Sequence, residues 1–92
     1  MIVSFRNRDT RLLAETGRSK FRGLDESKAR ARLSALQAAT SLASLSPLAS
    51  VGLHKLTGNR RGYWAMTING PWRLVFKFED GHAQDVEIVD YH

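Results

Sequence analysis

Between Tyr63 and Asp90 the chain alternates apolar and polar residues in three runs, and two turn dipeptides separate them. The runs cover residues 63–68, 72–79 and 83–90, with Asn69-Gly70 and Asp80-Gly81 between. A period of two is the mark of a strand with one buried face. Asn-Gly and Asp-Gly accept the positive φ that a tight hairpin needs. The pattern therefore predicts an antiparallel meander. Trp64, Met66 and Ile68 share one face of its first strand, and Trp72, Leu74, Phe76 and Phe78 one face of its second. A two-residue loop would pair Met66 with Arg73 and oppose apolar to polar. A three-residue loop, Asn69-Gly70-Pro71, pairs Ile68 with Trp72 and keeps the apolar rows together, so the buried face selects it. It also takes Pro71, which lacks an N–H, out of the ladder.

The first half of the chain has a different period. Residues 2–6 alternate and read as a short strand. Asp9 is a candidate cap for a short helix through Leu12, Leu13 and Ala14, which Gly17 stops. A basic loop, Arg18-Ser19-Lys20-Phe21-Arg22-Gly23, follows. Asp25 then caps a longer helix from Glu26 to about Ala39, with Ala29, Leu33, Leu36 and Ala39 at helical spacing. Lys28, Arg30 and Arg32 lie off that stripe. Residues 41–51 are rich in Ser, Leu and Ala and are broken by Pro47, which predicts an extra helical turn and then loop. Two helices followed by an antiparallel sheet define an α+β fold. Ninety-two residues make one domain, spanning 1–92.

Composition narrows the function classes. Fourteen Lys and Arg against nine Asp and Glu give a net charge of +5, which attracts polyanions. There is no cysteine, so disulfides and thiolate metal sites are excluded. No run approaches the roughly 20 apolar residues of a membrane helix, and the opening residues lack the apolar core of a signal peptide. The expectation is a soluble, cytoplasmic protein.

The chemistry concentrates at Asp90-Tyr91-His92, which continue the last predicted strand, and at His54 upstream. Cleaving RNA without a metal needs a base for the 2′-hydroxyl, a donor to hold charge on the phosphate, and an acid for the departing 5′-oxygen. His54, His92 and Asp90 are groups that move protons near neutral pH or orient a histidine that does. Arg73 offers a rigid fork for phosphate, and Tyr91 a hydrogen bond or a surface on which a base stacks. His54, His82 and His92 stand far apart in sequence, with no close His/carboxylate pair to hold a metal. No phosphate-loop or dinucleotide fingerprint is present, so no cofactor is called for. His82 reads as a solvated turn residue. Trp64 and Trp72 read as core. Lys55, Arg60 and Arg61, with Arg22, Lys28 and Arg32, are the candidate contacts to RNA or the ribosome.

The stretch from Leu53 to Trp64, then Trp72-Arg73-Leu74-Val75-Phe76, then Asp90-Tyr91-His92, resembles the HigB branch of the RelE/ParE toxin superfamily. The likeness runs from the opening residues to His92. It implies two helices on an antiparallel sheet. It implies a toxin that cleaves messenger RNA in the ribosomal A site and is neutralised by a HigA-like helix-turn-helix antitoxin in a hetero-oligomer. By position, His54, Arg73, Asp90, Tyr91 and His92 match the active-site elements of the family. Members often carry a lysine at the place of Thr57, so the resemblance shifts the burden of phosphate charge onto Arg73. A ParE-like toxin that poisons DNA gyrase without cleaving RNA is the alternative, and a plain basic nucleic-acid-binding module is a third reading.

Overall fold

The computed structural model describes residues 1–45 and 52–91. Its centre is an antiparallel sheet in the order β1 (His54–Lys55), β2 (Tyr63–Asn69), β3 (Trp72–Glu79), β4 (His82–Asp90). Two helices, α1 (Arg8–Thr16) and α2 (Glu26–Ala38), pack on one face. The buried cluster between them takes Leu13 from α1, and Ala29, Leu33 and Leu36 from α2. The sheet supplies Met66, Ile68, Leu74, Phe76, Ala83, Val86 and Ile88. Trp64 and Trp72 are half-buried against this cluster, and Phe21 meets Trp72 edge-on at 5.4 Å between ring centres.

The caps explain where the helices begin and stop. Asn7, not Asp9, is the N-cap of α1; its Oδ1 accepts from the Thr10 N–H at 2.9 Å, and Asp9 sits one turn in, where a carboxylate suits the helix dipole. Gly17 ends α1 with φ +76°, a left-handed conformation that glycine adopts without a steric penalty. Asp25 caps α2 as expected, accepting from the Lys28 N–H at 3.0 Å. Asn69 then ties this corner to the sheet. Its Oδ1 accepts from the Asp25 N–H at 2.8 Å and its Nδ2 donates to the Gly23 carbonyl at 3.0 Å.

The β2–β3 register keeps the apolar rows together, with Trp64 opposite Phe76 and Met66 opposite Leu74. The loop closes differently from expectation. Asn69 pairs with Trp72 across Gly70-Pro71, and a bulge between Thr67 and Asn69 absorbs the extra residue. Asp80 and Gly81 both have positive φ, the requirement of a two-residue hairpin of mirror-image type. Residues 2–6 do not form a full strand. Ile2 and Phe5 make isolated parallel bridges to Ala83 and Val86, and these cover the outer edge of β4. Leu42–Ser44 form a 3-10 turn. The rest of the loop expected around Pro47 lies outside the described residues, as does His92. Among the described residues no helix is long and apolar enough to cross a membrane.

One buried hydroxyl joins helix to sheet. Thr10 is fully buried, and its Oγ1 accepts from the Ile88 N–H at 3.0 Å. Thr10→Val preserves shape but strands that donor. It is expected to cost about 1–3 kcal/mol in urea unfolding, with Thr10→Ser recovering most of the loss. An unchanged midpoint for Thr10→Val would show that the bond contributes nothing.

Candidate active site on the open sheet face

In an antiparallel sheet, directly paired residues point to the same side. The face away from the helices can therefore be read from the register. Its central row is His54, Ala65, Val75 and Glu87. Thr67, Arg73 and Val89 form the row on one side, and Tyr63, Lys77 and Gln84 the row on the other. Ala65 and Val75 are fully buried although they lie outside the helix-side cluster. The face is thus a small apolar floor ringed by polar side chains.

His54 and Arg73 share this face. They lie two strands and two residues apart, roughly 12 Å between Cα atoms, a gap their side chains and one phosphodiester can fill. The His54 ring is exposed, and its Nδ1 lies 2.9 Å from the Gly52 carbonyl. A carbonyl only accepts, so Nδ1 must carry the proton in this bond, and Nε2 of the neutral ring is left as a base. Gly52 allows the arrangement. Its φ is +58°, and a Cβ there would fall 2.9 Å from Thr67 Oγ1. Arg73 is backed by the hairpin, with Nη1 donating to the Gly70 carbonyl at 2.6 Å and to the Trp72 carbonyl at 2.9 Å. A guanidinium has five N–H donors, enough to be held by a turn and still grip a phosphate.

The chain end arrives at the same hairpin. The Tyr91 N–H donates to the Pro71 carbonyl at 2.8 Å, which extends the β4 ladder past its last strand residue. Strand alternation carries exposed Tyr91 to the side of Val89 and Arg73, and Asp90 pairs with Trp72 on the helix side. Asp90 is therefore not in the row that holds His54 and Arg73.

A bulge sets these faces. Against β3, Lys77 pairs with Gln84 but Val75 pairs with Glu87, so β4 carries one extra residue. That residue is Asp85, at φ +51°. Its N–H donates to Ser4 Oγ at 2.8 Å and its Oδ2 accepts from the Tyr63 hydroxyl at 2.9 Å. The insertion turns Val86 and Ile88 inward and Glu87 and Val89 outward.

The basic candidates separate on this map. Arg60, from a 3-10 turn at Gly58–Arg60, reaches Glu87 with Nη1 3.1 Å from Oε1. Thr57 precedes that turn and is exposed. Arg61, Arg22 and Lys28 are exposed. Lys55 pairs with Trp64, so it stands on the opposite side from His54. Arg32 is corrected from a solvated helix charge. It is half-buried, and its Nε donates to the Thr67 carbonyl at 3.2 Å, beside the β2 bulge. His82 is exposed, as its turn position suggests. The sequence reading missed Glu87, Tyr63 and Asp85 as members of the open face, and also Arg6, Arg8 and Arg11. These three arginines line a cleft of about 480 Å³ over Phe5 and Leu12. A polar residue at every second position of a strand end was the available signal for Glu87. The cleft arginines gave none, being spread over a bridge and a helix. Among the described residues no group of three or more His, Asp or Glu is placed to hold a metal ion.

Nitrogen-15 NMR of His54 near neutral pH is expected to show the tautomer protonated at Nδ1, and Gly52→Ala is expected to shift the population away from it. A ring protonated mainly at Nε2 would remove the base from the site.

Residues 6–92 match the model of a family described as the RelE-like toxin of the type II toxin–antitoxin system HigB. Over 93 aligned positions the chain is 37% identical to the endoribonuclease HigB of Proteus vulgaris, covering 100% of both sequences.

Proposed function

The chain belongs to the HigB-like toxins of type II toxin–antitoxin systems and is an endoribonuclease, and on that premise we propose that it cleaves messenger RNA in the ribosomal A site by metal-independent acid–base chemistry. A toxin of this class has an antitoxin partner. The finer reading is a HigA-like helix-turn-helix antitoxin, forming a hetero-oligomer with the toxin in the cytoplasm. The observation that carries the reading is the shared face of His54 and Arg73, with the histidine anchored through Nδ1 so that Nε2 is left as a base.

In this scheme His54 Nε2 removes the proton of the 2′-hydroxyl. The 2′-oxygen attacks phosphorus, and Arg73 holds the non-bridging oxygens as negative charge builds on them. His92 protonates the departing 5′-oxygen, leaving a 2′,3′-cyclic phosphate and a 5′-hydroxyl. Tyr91 donates to the phosphate or stacks on a base, and Asp90 orients His92. The face is shallow, and neither large cleft of the molecule includes His54 or Arg73. An open floor suits a substrate held by something larger, and the ribosome would supply that positioning.

Mapping 5′ ends of cellular mRNA after brief induction, with and without ongoing translation, tests the scheme. Cuts should appear within translated codons and vanish when translation is blocked. Cuts that persist without translation would make the protein a free ribonuclease. His54→Ala and His92→Ala should each slow single-turnover cleavage on programmed ribosomes by about 10²–10⁴, with antitoxin binding retained. Wild-type rates in either variant would remove that histidine from the chemistry.

Docking is a separate task, given to exposed charges. Replacing Arg22 and Lys28 by Gln should weaken ribosome affinity and flatten its salt dependence by about 0.7–0.9 per lost phosphate contact. Arg32 is left out because it supports the β2 bulge. Identical salt slopes for wild type and variant would mark these two charges as solvated surface.

A further inference from the structure

The open face contains one carboxylate to which the cleavage scheme gives no task. The Glu87 side chain is only 14% exposed, on the same row as His54. Three groups hold it. Arg60 Nη1 donates to Oε1 at 3.1 Å, Arg6 Nε lies 3.8 Å from the same oxygen, and Asn7 Nδ2 donates to Oε2 at 3.5 Å. Asn7 is itself fixed as the cap of α1.

Arg60 has far to travel to make this contact. It belongs to the turn between β1 and β2, whereas Glu87 is on β4 at the other side of the sheet. The guanidinium lies 5.8 Å from the centre of the Tyr63 ring, and the Tyr63 hydroxyl is tied to Asp85 on β4. The arginine is thereby carried across the open face with its side chain 34% exposed. Holding so long a side chain in one extended path sacrifices rotamer freedom. The turn that launches it begins after Thr57, which carries no charge.

We propose that Arg60 is a catalytic residue that grips the scissile phosphate, and that Glu87 is the positioning residue that holds it across the site. The inference rests on the endoribonuclease reading above. It gives the phosphate a second cation, on the side of the floor away from Arg73. A guanidinium has donors to spare when Nη1 faces a carboxylate, and its planar fork fits phosphate oxygens in pairs. Arg6 and Asn7 keep Glu87 back on β4, so the carboxylate orients the arginine without meeting the RNA.

Two measurements test this. The first needs no ribosome. In labelled protein, titration with adenosine 3′-monophosphate should shift the Arg60 Nε–H resonance saturably, and Glu87→Gln should weaken the response. No shift would overturn the phosphate site. The second is single-turnover cleavage on programmed ribosomes at saturating toxin. Arg60→Gln should fall about 100-fold, the range for losing one donor to a charge-bearing oxygen, and free guanidinium should restore part of the rate. Glu87→Gln should fall about 10-fold at unchanged ribosome affinity, through misplacement of the arginine. A full rate in Arg60→Gln, or no response to guanidinium in a folded variant, would overturn the catalytic role. Absence of cleavage by the wild type would instead defeat the functional reading, and the titration would then decide the phosphate site by itself.

Discussion

One extra residue in β4 decides what the open face of the sheet can do. Without the bulge at Asp85, the alternation that buries Ala83 would turn residues 85, 87 and 89 toward the helices. Glu87 would then be inside, while Val86 and Ile88 would face solvent. The bulge reverses this for the last third of the strand. It is held by Ser4 from the N-terminal segment and by the Tyr63 hydroxyl from β2. A non-glycine residue at positive φ is costly, and here two hydrogen bonds offset the cost. The apolar core and the polar face are therefore settled by the same local distortion.

The parts of the fold legible in the sequence were those governed by short-range rules. The meander follows from period two and two turn dipeptides, and α2 from an Asp cap and a four-residue stripe. The β2–β3 register follows from the demand that Trp64, Met66 and Leu74 be buried together. The misreadings have physical causes as well. Asn7 and Asp9 are both good caps, and only the contact of Thr10 with Ile88 sets the start of α1. Whether residues 2–6 form a strand depends on β4, some 80 positions later. The Asn69-Gly70-Pro71 loop was read correctly for register and incorrectly for closure, because a bulge absorbs the odd residue without disturbing the apolar rows.

The site was less legible than the fold. His54 and Arg73 were recognisable by residue type and by their neighbours, and the register brings them to one face. Alternation parts Asp90 from Tyr91, as the period of a strand requires. Glu87 could not be singled out in advance, since a glutamate on a strand is ordinarily solvated. Its significance comes from three partners supplied by distant segments, Arg6, Asn7 and Arg60. Arg32 misled in the opposite direction. A helix charge off the apolar stripe looks free until a bulged strand opposite presents a carbonyl to it.

The parallel bridges between the first residues and β4 have a consequence for biosynthesis. Ile2 and Phe5 leave the ribosome first, yet their partners Ala83 and Val86 are among the last residues made. Contacts of such long sequence range close late, because the loop between them must be ordered first. The bulge leans on Ser4 from that early segment, and Glu87 on Arg6 and Asn7. A growing chain therefore has α2 and the first hairpin available early, while the polar face must wait for the two ends to meet. Assembly of the site is coupled to completion of the chain, so an unfinished copy is chemically silent.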